Sequence, residues 1–273
     1  MGKHLTPILH VLGTGNAQSV YFYNTCFALG DSENFVLVDA GGGNGIFAQL
    51  QGVGLPLTAC HNLVLTHAHT DHILGAVWVV RRVGEQLGSK KMQPPFCIYG
   101  HSQALDALRQ MCLLTLQGTV TALFDNQIRF VPVTDGEQMQ IEECDFTFFD
   151  IGSTKKKQYG FMVNVAGVCL VCAGDEPVGP AAMPYAKRAD WLTCEAFCLA
   201  GEAEIFRPYQ KHHSTAADAC KLAQNLKIPH LILWHTEDSH QGDRGQLYLA
   251  EGRQQYSGEL FVPNDLDTIK LVP

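Results

Sequence analysis

The segment 66–75 constrains this chain more than any other, because it concentrates metal-binding side chains within a few positions. Its spacing is His-x-His-x-Asp-His, formed by His67, His69, Asp71 and His72. Imidazole nitrogen and carboxylate oxygen are the usual protein ligands of zinc and similar divalent metals. The apolar run 63–65 predicts a buried strand before this segment, and residues 73–87 predict a helix after it. We therefore expect the histidines to lie on a strand-to-helix loop, where they can converge on a metal.

Composition limits the class of protein and the kind of partner. The chain has 273 residues, of which 46% are hydrophobic and 17% charged, so it can bury a large core and leaves little for disordered segments. The net charge is −8 and the basic residues cluster only at 155–157, so no broad nucleic-acid surface is expected. Apolar runs stay below the ~18 residues of a membrane span, which predicts no membrane contact. Residues 1–5 lack a signal-peptide pattern and the cysteines are scattered, which predicts a cytoplasmic protein.

The order of strand and helix patterns predicts the architecture. Strands come first in hairpins and then alternate with helices, and this order recurs in the second half of the chain. Such a repeat suits two mixed sheets packed face to face with helices on the outer faces, which is an α+β fold. No linker or break in composition divides the chain, so we expect a single domain over residues 1–273.

Five short motifs accompany the histidine segment. They are Leu-Gly-Thr-Gly-Asn at 12–16, Leu-Val-Asp-Ala-Gly at 37–41, Ala-Gly-Asp at 173–175, His-Ser-Thr-Ala at 213–216 and Leu-Trp-His-Thr at 233–236. In this order the motifs resemble those of the metallo-β-lactamase superfamily, in the branch that includes ribonuclease Z. The resemblance spans nearly the whole chain. It implies the αββα sandwich and a hydrolase that uses a metal-activated water.

The resemblance also implies two metal sites, with zinc as the expected ion and manganese or iron as alternatives. The first ion would take His67 and His69, the second would take Asp71, His72 and His235, and Asp175 would bridge both. The residue pattern agrees with this assignment, because each motif follows an apolar strand and strand ends can gather at one edge of a sheet.

Four side chains have predicted catalytic or supporting roles. Asp71 would orient the metal-activated water or accept its proton. His213 matches the family histidine that gives a proton to the leaving oxygen. Asp39 resembles the family carboxylate that holds a ligand histidine, and capping of a strand turn is the alternative interpretation. Glu195 follows a strand and could be a second carboxylate of the same supporting kind.

One position departs from the family pattern. The resemblance implies a third histidine for the first metal, placed after a strand and before the segment Tyr159-Gly160-Phe161. Gly152 stands where that histidine is expected, and glycine has no side chain that could bind a metal. We therefore expect the first site to be under-occupied and the hydrolase to be weakened.

Three functions remain open from the sequence. The leading hypothesis is hydrolysis of a phosphodiester in a small anionic substrate. The alternatives are hydrolysis of a carboxylic ester, lactone or thioester, and a degenerate metal-binding protein with weak activity because of Gly152. Extended RNA is not expected as a substrate, since the interval from Gly152 to Asp175 holds one hairpin and no RNA-gripping arm. Relatives in the family often form dimers, so a homodimer is an alternative to a monomer.

Overall fold

Two β-sheets of seven strands each form the centre of the molecule, a computed structural model that describes residues 5–273. The strands are β1 (Ile8–Gly13), β2 (Cys26–Gly30), β3 (Phe35–Val38), β4 (Cys60–Val64), β5 (Phe96–Gly100), β6 (Ile128–Pro132), β7 (Gln138–Ile141), β8 (Cys144–Asp150), β9 (Tyr159–Val165), β10 (Val168–Cys172), β11 (Trp191–Glu195), β12 (His230–Trp234), β13 (Glu259–Phe261) and β14 (Thr268–Lys270). The first sheet has the order β14-β1-β2-β3-β4-β5-β6 and the second β13-β12-β11-β10-β9-β8-β7. Residues 1–4, on which the signal-peptide expectation largely rests, lie outside the described residues.

The helices lie between the strands along the chain. They are α1 (Ile46–Gly52), α2 (Thr70–Gly88), α3 (Ser102–Thr115), α4 (Gly118–Thr121), α5 (Met183–Ala186), α6 (Ala203–Phe206), α7 (Ala216–Leu226) and α8 (Arg244–Gly252). Three short 3-10 helices span Leu57–Ala59, Ala200–Glu202 and Pro208–Lys211. Within residues 5–273, no helix has both the length and the apolar character needed to cross a membrane.

Three separate apolar layers hold these elements together. One layer joins α1 to α4 to the outer face of the first sheet, and another joins α5, α7 and α8 to the outer face of the second. The third lies between the sheets, where the ring centroid of Phe27 is 6.4 Å from Phe161 and 5.1 Å from Trp234. Strand side chains alternate between faces, so each sheet contributes to two layers. The predicted αββα sandwich is confirmed, and its description as one domain over 1–273 stays a prediction.

The start of α2 differs from the predicted loop in a way that affects the site. The helix begins at Thr70, and His69 precedes it as the N-cap residue with an extended backbone. The prediction that the histidines lie on a loop is therefore wrong for His72, which occupies the first helical turn together with Asp71. A carboxylate in that turn is favourable because the N-terminal end of a helix carries partial positive charge.

Strand β14 was not predicted. It has three residues and pairs antiparallel with β1, more than two hundred residues away in sequence. An edge strand of this kind depends on a distant partner and leaves little periodic signal of its own. Its pairing completes the first sheet beside β1.

Parallel strands bring the sequence motifs to one edge of the sandwich. In the first sheet β3 runs parallel to β4, and in the second β10, β11 and β12 run parallel to one another. Their carboxyl ends precede the segments that begin at Asp39, Thr66 and Asp175, and the segment that begins at His235. The main-chain N–H of Tyr159 donates to the carbonyl of Thr66 at 3.0 Å, which ties the two sheets together beside the site.

Phe161→Ala tests how much the layer between the sheets stabilises the fold. Phe161 is fully buried, so we expect its loss to lower the free energy of unfolding by about 3–5 kcal/mol. Leu114→Ala removes a side chain that is 83% exposed and should change that free energy by less than about 0.5 kcal/mol. Urea denaturation of the metal-free protein measures both values. Equal losses in the two variants would contradict this account of the core.

Candidate metal centre

Asp175 lies at the middle of the clustered side chains. It follows β10 after Gly174, whose φ of 83° is in the left-handed region, and it is 5% exposed. Its Oδ2 atom lies 3.5 Å from His67 Nε2, 3.9 Å from His69 Nδ1, 3.7 Å from His72 Nε2 and 3.6 Å from His235 Nε2. One carboxylate oxygen therefore faces four imidazole rings, as a residue that bridges two metal ions would.

Asp71, His72, His235 and Asp175 form the more complete ligand group. Asp71 Oδ2 lies 3.4 Å from His72 Nε2 and 3.5 Å from His235 Nε2. These distances are longer than ordinary hydrogen bonds, whereas ligand atoms around a tetrahedral zinc lie about 3.3 Å apart. The Nε2 atoms of both histidines and Oδ1 of Asp175 are buried without a hydrogen-bond partner. Buried polar atoms are rarely left unpaired, so this donor set fits a divalent cation.

His67 and His69 form a smaller group with Asp175. His67 is fully buried, and its Nε2 atom lies 2.8 Å from Nδ1 of His69. The side chain of His69 is 32% exposed and lines the pocket described below. Among residues 5–273, no other metal-binding side chain belongs to this group. The first predicted site therefore has fewer protein ligands than the second.

Asp39 and Thr66 hold two of the histidines in orientation. Asp39 follows β3 and is 4% exposed. Its Oδ2 atom accepts hydrogen bonds from His72 Nδ1 at 2.8 Å and from the Thr66 hydroxyl at 2.7 Å. The same hydroxyl lies 2.9 Å from His67 Nδ1, which can donate to it. With both Nδ1 atoms used as donors, the Nε2 atoms of the two rings are left to bind a metal.

Asp39 makes contacts of both predicted kinds, and its role beside a metal stays a prediction. It contacts a predicted ligand histidine, and its Oδ1 atom also accepts the main-chain N–H of Thr66 at 2.9 Å, which fastens the turn after β3 to the end of β4. Thr66 itself was not predicted to take part. Its position directly before His67 was the available signal, because a hydroxyl there can reach the Nδ1 atom of the next ring.

Burial and mutual charge determine protonation in the cluster. Burial acts to raise the pKa of Asp71, but the charges of His72 and His235 outweigh it and hold that pKa well below its usual value. At Asp175 burial is likewise outweighed, first by the charge of His67, and the pKa is lowered. Burial lowers the pKa of His67, whereas at His72 the carboxylates, Asp71 first, outweigh burial and raise the pKa. Both aspartates therefore stay ionised, and their negative charge favours the binding of a divalent cation.

His213 lies beside the cluster and is held there by aromatic and acidic neighbours. Its ring stacks on Phe197 with centroids 5.0 Å apart, and it is 5.2 Å from the ring of His235. Its Nδ1 atom lies 3.4 Å from Oε2 of Glu195, which is 1% exposed. The other oxygen of Glu195 accepts from the main-chain N–H of Ser214 at 2.7 Å and from its hydroxyl at 2.6 Å.

The contacts of Glu195 differ from those that its predicted role would require. We expected a carboxylate that supports a metal ligand, but its recorded partners are His213 and Ser214. The reason is the path of the chain after β11, because the main-chain N–H of Phe197 bonds to the carbonyl of Ser214 and brings the two segments together. Glu195 therefore lies against the predicted proton donor and binds the main chain and hydroxyl of Ser214.

A pocket of about 810 Å³ opens in front of the cluster. Asp71, Asp175 and His235 line its floor, and His213 lies at its side. Three lysines also line it, namely Lys155, Lys156 and Lys211. The rings of Phe197 and Phe206 add an apolar surface, and Nζ of Lys211 lies 4.8 Å from the Phe197 ring centroid. The pocket thus combines ionised metal-type ligands, positive charge and aromatic surface.

Glu237 and Asp238 also line this pocket and were not predicted. Oδ2 of Asp238 accepts the main-chain N–H groups of Val20 at 2.6 Å and Tyr21 at 3.2 Å, so it fastens the loop after β1 to the loop after β12. The signal for both residues was their place directly after the motif that contains His235.

Gly152 does not line this pocket. It lines another pocket, which also contains His213. It is exposed, its φ is 77°, and its N–H donates to Oδ1 of Asp150 at 2.9 Å. A Cβ atom at this position would lie 3.3 Å from Cβ of Ala181. Any side chain here would meet an unfavourable backbone conformation. That Gly152 replaces a ligand histidine stays a prediction.

Comparison with known proteins places this geometry in context. The family model described as Anti-Pycsar protein Apyc1 matches residues 8–256. Ribonuclease Z of Myxococcus xanthus is 25% identical over 308 aligned residues, which cover 96% of this chain and 97% of that protein.

Two solved structures share the fold. The metallo-beta-lactamase fold protein YhfI of Bacillus subtilis has a TM-score of 0.75 at 18% identity, with 96% of this chain and 98% of that chain covered. The short form of human tRNase Z has a TM-score of 0.73 at 20% identity, with 97% and 100% covered. The predicted metallo-β-lactamase fold and the likeness to ribonuclease Z are confirmed.

His72→Ala and His235→Ala test the more complete ligand group. Each substitution removes one imidazole from that group, so each should lower the zinc retained after dialysis against dilute zinc buffer. His212→Ala removes an exposed histidine that belongs to neither group and should retain zinc like the wild-type protein. Elemental mass spectrometry measures the metal content per chain and distinguishes these outcomes. Wild-type zinc in both His72→Ala and His235→Ala would refute the assignment.

Gly152→His tests the missing ligand. If this position has lost a metal-binding histidine, the variant should bind close to one more zinc per chain than the wild type. Gly152→Ala is the matched control, because it carries the same backbone cost of about 1–2 kcal/mol without an imidazole. Zinc content and melting temperature of the two variants separate the effects. Equal zinc in Gly152→His, Gly152→Ala and wild type would show that no ligand belongs here.

Proposed function

The chain belongs to the Anti-Pycsar protein Apyc1 family, and from that premise we propose that it hydrolyses a phosphodiester bond in a small anionic substrate with a metal-activated water. The observation that carries this proposal is the position of Asp175, whose Oδ2 atom faces four imidazoles at the floor of a lysine-lined pocket. A ligand set for two cations and three lysines in one pocket suit a substrate that carries a phosphodiester.

The ligand groups define what each residue would contribute. Divalent ions, zinc first and manganese or iron as alternatives, would lower the pKa of a water molecule and stabilise negative charge on the phosphoryl oxygens. The carboxylate of Asp71 lines the pocket and is kept ionised, so it can accept a hydrogen bond from that water and orient it. Asp39 holds the ring of His72 through Nδ1, so that its Nε2 atom points to Asp71 and Asp175.

His213 is the proposed proton donor to the leaving oxygen. Hydrolysis of a diester breaks a P–O bond, and an alkoxide leaving group needs a proton as that bond breaks. The Nδ1 side of His213 faces Glu195, so the other ring nitrogen is available for the substrate. Stacking on Phe197 fixes the plane of the ring. Glu195 acts through His213 and is a positioning residue.

The size and charge of the pocket support a small substrate. A volume of about 810 Å³ is typical of sites for small molecules and cofactors. Lys155, Lys156 and Lys211 can pair with phosphate oxygens, and Phe197 and Phe206 can contact an apolar or aromatic group. The net charge of −8 opposes general attraction of a long polyanion.

The other hypotheses use the same site. Hydrolysis of a carboxylic ester, lactone or thioester would need the same activated water and less positive charge around the substrate. A degenerate metal-binding protein is favoured by the three-residue group of His67, His69 and Asp175. A single domain, a cytoplasmic location and a homodimer remain predictions.

A substrate panel separates these functions. We expect zinc- or manganese-dependent hydrolysis of bis-p-nitrophenyl phosphate and of a dinucleoside monophosphate, with slower hydrolysis of a lactone and a thioester. His213→Ala should lower kcat on the dinucleoside monophosphate by about 10²–10⁴-fold, because its leaving alkoxide needs a proton. The loss on bis-p-nitrophenyl phosphate should be much smaller, because p-nitrophenolate leaves without one. His212→Ala should behave as wild type on both diesters.

Several outcomes would contradict the proposal. Faster turnover of the lactone or thioester than of either diester would favour the alternative hydrolase. Equal losses of His213→Ala on the two diesters would remove the proton-donor role. Efficient cleavage of a precursor transfer RNA at physiological salt would overturn the preference for small substrates.

A further inference from the structure

A third group of metal-type ligands lies close to His235 and takes no part in the proposed reaction. It consists of Glu202, Glu237 and His240, whose ligand atoms all lie within 4.8 Å of one another. Glu202 ends the 3-10 helix Ala200–Glu202, and the other two residues lie in the loop between β12 and α8. Two distant segments of the chain therefore meet here.

The contacts within the group leave two carboxylate oxygens without partners. Nε2 of His240 lies 2.7 Å from Oε1 of Glu202, and Oε2 of Glu237 accepts the main-chain N–H of Ser239 at 2.7 Å. The second oxygen of each glutamate is buried and has no hydrogen-bond partner. Glu237 is only 5% exposed, so solvent does not compensate for this loss.

The surrounding side chains do not pair with these two oxygens. His240 pairs with Oε1 of Glu202 and gives neither unpartnered oxygen a hydrogen bond. Asp243 adds a further carboxylate 3.7 Å from His240 Nδ1. The buried guanidinium of Arg244 donates to the hydroxyls of Thr14 and Thr236 and to the carbonyl of Pro263. Oε2 of Glu202 and Oε1 of Glu237 are therefore left without a hydrogen-bond partner.

We propose that Glu202, Glu237 and His240 bind one divalent cation, at a site separate from the centre around Asp175. Two carboxylates and one imidazole are a donor set that suits manganese or zinc, with water completing the coordination. A cation would pair with both unpartnered oxygens. It would also connect the loop that follows His235 to the segment that continues into α6, where Phe206 lines the substrate pocket.

Counting bound metal tests this site without any substrate. Metal-free wild-type protein, Glu202→Gln and His240→Ala are each dialysed against buffers of increasing free Zn²⁺ or Mn²⁺, and ions per chain are measured by mass spectrometry of the elements. Both variants should bind one ion fewer than the wild type, or need at least tenfold more free metal to bind it. Glu204→Gln is the matched control, because it removes the same charge from an exposed neighbour and should bind like the wild type.

Circular dichroism of the metal-free proteins shows whether each variant is folded. The two substitutions lie on different segments, so either variant alone can test the site if the other does not fold. If folded Glu202→Gln and His240→Ala bind metal like the wild type, the proposal is overturned and the group is only an ion pair. A loss in Glu204→Gln equal to that in Glu202→Gln would also overturn it, as general charge attraction. The count does not depend on hydrolysis, so it stands or fails separately from the proposed function.

Discussion

The buried carboxylate of Asp175 is the interaction on which the rest of the site depends. An ionised group that is 5% exposed is costly unless opposite charge or hydrogen bonds compensate for the lost water. The chain surrounds it with four imidazoles, two of which, His67 and His72, have orientations set by Thr66 and Asp39. Ring nitrogens that lack hydrogen-bond partners here are better suited to binding a cation than to pairing with one another. A metal therefore explains why so many polar groups are buried together.

The sandwich makes this concentration of charge possible because its two sheets end their parallel strands at the same edge. Residues that follow β3 and β4 come from the first sheet, and residues that follow β10 and β12 come from the second. The apolar layer between the sheets, which contains Phe161 and Trp234, holds these edges at a fixed separation. Ligand geometry consequently depends on core packing far from the metal, as is usual for sites built on rigid elements.

The walls of the pocket carry features that the metal-binding motifs do not specify. Lys155 and Lys156 come from the loop after β8, Lys211 from a 3-10 helix, and Phe206 from the end of α6. Asp238 fastens the loop after β1 to the loop after β12 through the main chain of Val20 and Tyr21. In folds that host many functions, such loops rather than the shared scaffold determine which substrate a site accepts.

The sequence by itself determined the fold class, the order of most strands and helices, and the cluster His67, His69, Asp71 and His72, because apolar periodicity and the spacing His-x-His-x-Asp-His are local properties. Asp175 and His235 were implied by the family resemblance of their motifs. The sequence also indicated Asp39 and His213 through short motifs. Only the tertiary structure decided that Glu195 lies beside His213, that Thr66 joins Asp39 to His67, and that β14 completes the first sheet. It also brought Glu202 to His240 from another part of the chain. These are contacts between segments that are distant in sequence or between side chains with no periodic pattern, and their formation depends on how the two sheets pack.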